Sequence, residues 1–328
     1  MSSRKNNLIL KIVLLTFFGI YLNANELLTN YRINGIKDIE KQMDLELTRI
    51  SYWDEYLKNK DLKFGYIENY SSILTCNKEK SILSLYKQNE NNQFKFQKNY
   101  DAFTGKERGD KVKEGDLKTP DGIYDITKKI SKLDSFYGPL AFVTSYPNAY
   151  DTYKGKNGSG IWIHGLPTQQ ERDEFTKGCI AINNSQIECL DKRIDIDKTL
   201  VIISESEIQK EITKEKLASI LTQLYQWRFN WIYDDINGYL AFYSPDFVRN
   251  DGMNFEDFKK YKTRVFAKDE KKTIILTNIN ILPYPNLENI YQITFKEFYE
   301  SESFKFIGNK TLMVKLSENN VIQIFTEK

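Results

Sequence analysis

Gly160-Ile161-Trp162-Ile163-His164-Gly165-Leu166-Pro167, followed by Thr176-Lys177-Gly178-Cys179-Ile180-Ala181-Ile182, is the most informative part of this 328-residue chain. A short β-branched and aromatic run ends in a histidine, and a glycine–cysteine pair opens the next run. His164 is the only histidine, and Cys179 is one of three cysteines. A free thiol has a pKa of about 8.5, so at neutral pH it is mostly protonated. A neighbouring imidazole can take that proton and leave a nucleophilic thiolate. Gly178 lets the backbone approach a reacting carbonyl, and the amides of Gly178 and Cys179 are candidate oxyanion donors. The imidazole tautomer also needs fixing, and the carbonyl of Gly165, next to the ring, can accept the Nδ1 proton.

The surrounding sequence has the same texture. From Tyr66 to Ser204, short runs such as Ala141-Phe142-Val143-Thr144 and Leu200-Val201-Ile202-Ile203 alternate with turn residues, which indicates a mainly β domain over 66–204. The charged run between 105 and 118 reads as a solvated loop. Before it, residues 25–65 carry a helical pattern in Ile36, Ile39, Met43, Leu47, Ile50, Trp53 and Leu57. That apolar stripe needs cover, either from the same chain or from a second copy in a homodimer. After it, residues 205–328 begin with a long helix from Glu205 and end in at least four strands, an α+β order. Residues 1–24 read as an export signal: Arg4 and Lys5, then the apolar run Ile12–Leu22, then Ala24. An uncleaved segment would act as a membrane tether, although eleven apolar residues are too few to span a bilayer.

Composition excludes several classes. One histidine and three cysteines are too few for the usual zinc sites, so no metal and no cofactor are expected. Without Arg4, Lys5 and Lys11 the chain has 44 basic and 45 acidic residues, net −1, which is no nucleic-acid footprint. The serine motif S-x-x-K occurs at Ser2–Lys5 and Ser84–Lys87 without a K-[ST]-G partner, an accidental match. Cys76 and Cys189 are read either as buried apolar groups or as a disulfide.

The His164-Gly165 and Thr176-Lys177-Gly178-Cys179-Ile180 elements resemble the catalytic domain of L,D-transpeptidases. Lys118-Thr119-Pro120-Asp121-Gly122-Ile123-Tyr124 and Tyr146-Pro147-Asn148-Ala149-Tyr150-Asp151 extend the resemblance upstream. The whole layout is similar to the cell-shape L,D-carboxypeptidases of helical Gram-negative bacteria. That implies an L,D-transpeptidase-like β-sandwich between an N-terminal dimerisation segment and a C-terminal NTF2-like domain of unknown ligand. It also implies a periplasmic enzyme acting on peptidoglycan tetrapeptide stems, which it trims to tripeptides between meso-diaminopimelate and D-Ala. Transpeptidation, release of a protein linked to diaminopimelate, and a non-catalytic binding role are the alternatives.

Members of the family commonly carry His before the Gly-Cys pair and Arg two residues after the cysteine. Here those places hold Lys177 and Ala181. Arg172 or Lys177 is then the candidate partner of the terminal D-Ala carboxylate, unless both are solvated loop charges. Tyr137, Tyr146 and Trp162 are candidate cleft walls, with strand packing as the competing reading. Thr176 joins them as a substrate-contact candidate. Asp151 either binds the diaminopimelate amine or caps a turn.

Because no second imidazole exists, His164→Ala is expected to reduce cysteine-dependent turnover of a tetrapeptide substrate by about 100- to 10,000-fold. Near-native initial rates in that variant would remove His164 from the chemistry.

Overall fold

The computed structural model describes residues 25–168, 175–206 and 212–328. The expected export signal, 1–24, lies outside them. The described chain opens with helices α1 (25–34), α2 (Ile36–Leu47) and α3 (Ile50–Tyr56). The single helical pattern is thus divided, first at Gly35, whose φ of +80° suits glycine, and again at Thr48–Arg49. Ile39, Trp53 and Leu57 are buried, whereas Ile36, Met43 and Ile50 are exposed. The buried side docks on α6 (Lys214–Ile232): Trp53 packs on Tyr225 at 5.0 Å, and Asp44 pairs with Arg228 at 2.8 Å. Cover within the chain accounts for that side of the stripe.

Eight strands close a barrel in the order β2-β3-β4-β8-β7-β6-β5-β9. They are β2 (Ser72–Asn77), β3 (Ile82–Gln88), β4 (Phe94–Phe103), β5 (Gly122–Ile130), β6 (Ala141–Thr144), β7 (Trp162–His164), β8 (Ile180–Ile182) and β9 (Thr199–Ser204). Helix α4 (Ala149–Tyr153) precedes β7, and α5 (Asn184–Asp191) follows β8. Most neighbours are antiparallel, but β2–β9 and β7–β8 are parallel. The barrel interior is filled by Phe142, Ile163, Ile180, Ile182, Val201 and others.

The C-terminal domain sets α6, α7 (Ile236–Leu240) and α8 (Phe255–Phe266) against a sheet ordered β1-β10-β11-β12-β13. Its strands are β10 (Thr273–Pro283), β11 (Ile290–Glu300), β12 (Lys305–Leu316) and β13 (Ile322–Glu327). Helix α6 starts at Lys214 rather than Glu205 because Thr213 caps it, accepting from the Lys216 N–H. Strand β1 (Tyr66–Ile67) lies before the barrel in sequence yet pairs with β10. A shared core of Ile123, Leu200 and Ile202 against Leu282, Met313 and Phe325 joins the two domains. Asn148 Nδ2 donates to Tyr284 Oη across that junction at 2.9 Å.

The charged run 105–118 is a loop with most of its charges in solvent, as expected, but it is anchored from within by a few buried ones. Lys111 is buried against Asp116 at 2.7 Å, and Lys78 against Asp121 at 2.8 Å. Lys156 reaches Asp110 on the same loop and Asp151 on α4, the latter at 2.8 Å. Inward-facing charges therefore pin the loop, while Val112 and Glu114 face solvent. Burial pulls the Lys156 ammonium down, but Asp151 and Asp110 more than offset it and hold it charged. Removing one member of a buried pair strands the other. Lys156→Met is expected to lower the unfolding free energy by about 3–5 kcal/mol in denaturant titrations. A loss below about 1 kcal/mol, the scale of a surface pair, would contradict this.

Candidate active site

Parallel pairing sets Ile163 opposite Ile180 and His164 opposite Ala181. Successive side chains alternate across a strand, so Ile163, Ile180 and Ile182 enter the core, and Trp162, His164 and Ala181 share the other face. Cys179 lies two residues before Ala181 and takes that same face, level with Trp162. Its side chain is half-buried, with Sγ 3.4 Å from the Gly160 carbonyl oxygen. His164 is only 1% exposed, flanked by Ala141 on β6 and Ala181 on β8. Small neighbours leave room for the Tyr137 ring, which meets His164 edge-on at 5.1 Å and Trp162 at 5.0 Å. Burial first, then the nearby Cys179, raises the Tyr137 pKa, so its phenol stays neutral.

His164 Nδ1 stands 2.6 Å from the Gly165 carbonyl oxygen. A carbonyl can only accept, so Nδ1 carries the proton in this bond, and Nε2 is the basic nitrogen. Thr176 Oγ1 donates to the Cys179 carbonyl at 2.7 Å and accepts from the Gly178 N–H at 3.0 Å. Thr176, buried itself, is thus the brace of the Gly178–Cys179 turn. The same bond occupies the Gly178 N–H that the sequence offered as an oxyanion donor. Gly178 has φ +130°, and a Cβ there would meet the Lys118 carbonyl at 2.8 Å.

The remaining candidates separate. Tyr137 and Trp162 line the face that carries His164 and Cys179. Tyr146 is 5% exposed, packs on Tyr124, and donates to the Asn157 carbonyl, so it supports the loop behind the cleft. Lys177 is exposed, two residues before Cys179, and Arg172 lies outside the described residues. Asp151 is fully buried: it closes the capping box of α4 with Asn148 and accepts from Tyr124 Oη and Lys156. Of the two readings for Asp151, the structure has the cap. No disulfide joins Cys76 to Cys189, and burial pushes the Cys76 thiol up to about 12. The sequence reading missed Asn184, whose Oδ1 accepts from the Leu166 N–H at 2.7 Å. Its only sequence signal is its place five residues after Cys179.

A cavity of about 620 Å3 lies in the C-terminal domain, away from Cys179. Lys262, Lys310, Glu297 and Trp231 line it. The Lys262 ammonium sits 3.9 Å from the Trp231 ring centroid. Burial and then neighbouring Lys310 lower the Lys262 pKa to about 7.

Residues 71–203 match the YkuD L,D-transpeptidase catalytic domain, and residues 219–328 match the Cds6 C-terminal NTF2-like domain. The crystal structure of the helical cell shape determining protein Pgp2 from Campylobacter jejuni aligns at TM-score 0.78 and 38% identity. The alignment covers 86% of this chain and 100% of that one. The chain belongs to the YkuD-type L,D-transpeptidase family. Bd1075 of Bdellovibrio bacteriovorus aligns at TM-score 0.63 and 26% identity, over 82% of this chain and 96% of that chain. YafK of Escherichia coli (strain K12) is 36% identical over 80 residues, 24% of this chain. The chain spans only 29% of the length of that curated relative.

Within the family pattern, position 181 is the notable departure. Ala181 is fully buried beside His164 and offers no cation to the cleft, which leaves Lys177 as the exposed cation nearest Cys179 in sequence. Gly178→Ala combines a left-handed φ with a backbone collision. It is expected to cost about 1–3 kcal/mol of stability. Displacing the nucleophile amide should also lower turnover by about 100- to 1,000-fold. Unchanged melting and unchanged rates in Gly178→Ala would show that the turn has slack.

Proposed function

We propose that the protein is a periplasmic peptidoglycan L,D-carboxypeptidase. It removes the terminal D-Ala of tetrapeptide stems, leaves tripeptides, and so affects cell shape. The observation that carries this reading is the His164 tautomer, fixed by Gly165 on the sheet face that also bears Cys179. His164 Nε2 takes the thiol proton, and the Cys179 thiolate attacks the carbonyl on the L-centre of meso-diaminopimelate. The Cys179 amide holds the developing oxyanion. The C–N bond then breaks, the imidazolium protonates the departing D-Ala amine, and an acyl-enzyme is left on Cys179. Water, deprotonated by His164, hydrolyses that thioester and restores the thiol. Tyr137 and Trp162 wall the cleft, and exposed Lys177 meets the D-Ala carboxylate.

Interception of the acyl-enzyme by an amine would make the same site a transpeptidase. A protein in place of D-Ala would make it a release hydrolase. The C-terminal cavity supports a binding role for that domain in addition, with lysines and aromatic rings suited to a polar, anionic ligand. Leu27, Leu28, Tyr31, Ile33 and Ile36 are exposed on the N-terminal helices and suit the homodimer contact.

Purified full-length protein is expected to convert disaccharide-tetrapeptide to disaccharide-tripeptide with release of D-Ala, resolved by liquid chromatography and mass spectrometry. Cys179→Ala should give none. Intact tetrapeptide with the wild-type protein, or equal conversion by the variant, would overturn the proposal.

A further inference from the structure

The peptide unit that fixes His164 is itself held from its other side. The Gly165–Leu166 amide presents its carbonyl to His164 Nδ1 at 2.6 Å and donates its N–H to Asn184 Oδ1 at 2.7 Å. An amide is planar, so anchoring the N–H also sets the direction of the carbonyl. Hydrogen bonds in such a chain polarise one another, and an acceptor on the N–H makes the carbonyl a stronger acceptor.

The surrounding backbone is shaped to admit that side chain. A Cβ at Gly165 would overlap Asn184 Oδ1, and so would a Cβ at Gly138. Gly138, at φ +71°, directly follows Tyr137, the residue whose ring covers His164. One carboxamide oxygen therefore sits against both the turn that orients the imidazole and the turn that carries its aromatic cover. Asn184 is the first residue of α5, reached from Cys179 through β8 alone. A single strand thus delivers the nucleophile at one end and the anchor of its base at the other.

We infer that Asn184 is a positioning residue for the catalytic pair. It acts on His164 through the Gly165–Leu166 peptide, where a triad carboxylate would act directly. The inference rests on the reading of Cys179 and His164 as a thiol–imidazole pair. It goes beyond that reading by naming what sets the basicity and orientation of the imidazole.

The test follows alkylation of Cys179 by iodoacetamide against pH in the full-length protein. Mass spectrometry of the Cys179 peptide excludes signal from Cys76 and Cys189, and thermal unfolding is measured on the same samples. Asn184→Ala should move the alkylation profile to higher pH. It should also lower kcat on the tetrapeptide by about 10- to 100-fold, by analogy with the hydrogen-bond partners of metal-ligating histidines. KM should change little. Asn184→Asp preserves shape and supplies a stronger acceptor, so it should melt like the wild type and move the profile to lower pH. Profiles of both variants that coincide with the wild type overturn the inference, as does an Asp variant that loses turnover without a pH shift. A wild-type Cys179 that alkylates like an ordinary thiol overturns the underlying pair, and the inference with it.

Discussion

The parallel register of β7 on β8 is the constraint on which the site depends. Residues fifteen apart in sequence reach the same face only because His164 stands opposite Ala181, two positions beyond Cys179. A slip of one residue would send either the imidazole or the thiol into the barrel core. Ile163, Ile180 and Ile182 oppose such a slip, because each would have to leave the core for the cleft. The apolar interior therefore maintains the polar geometry on the outer face. Hydrogen bonds to backbone groups at the strand ends then complete it: Gly165 fixes the imidazole, and Thr176 ties down the Gly178–Cys179 turn.

The second level of organisation is electrostatic. The loop 104–121 passes Gly178, with the Lys118 carbonyl in the space that a side chain at that glycine would need. Its position is set by lysines 78, 111 and 156, each buried against a carboxylate. Such pairs add little net stability over apolar packing but are strongly directional. In this chain they hold a segment of poor hydrophobic content in one place next to Gly178. The C-terminal sheet reinforces the arrangement through Tyr284 and Asn148 on the far side of α4.

Much of this was legible in the residues. The thiol, the imidazole, the carbonyl acceptor and the three-part layout follow from local spacing and periodicity, which sequence reports directly. Residues whose partners are distant were read less well. Asp151 looked equally able to bind an amine or cap a turn, and Lys156 with Tyr124 decides it. Tyr146 looked like a cleft wall but packs inward against Tyr124. In the charged run 105–118 the buried anchors were not legible, because the partner of Asp110 is Lys156, which lies after α4. Asn184 gave little signal because its partner is a backbone N–H in the loop after β7, 18 residues away.

Sequence by itself therefore determined which chemistry this protein can attempt. One imidazole and one glycine-preceded thiol are the groups it offers for thiol–imidazole chemistry, and residue types are unchanged by folding. Tertiary structure decided which distant groups meet: that His164 and Cys179 share one sheet face, and that Asn184 accepts from the Leu166 N–H. Those outcomes depend on hydrogen bonds between segments brought together by strand register, and register is a property of the closed barrel as a whole.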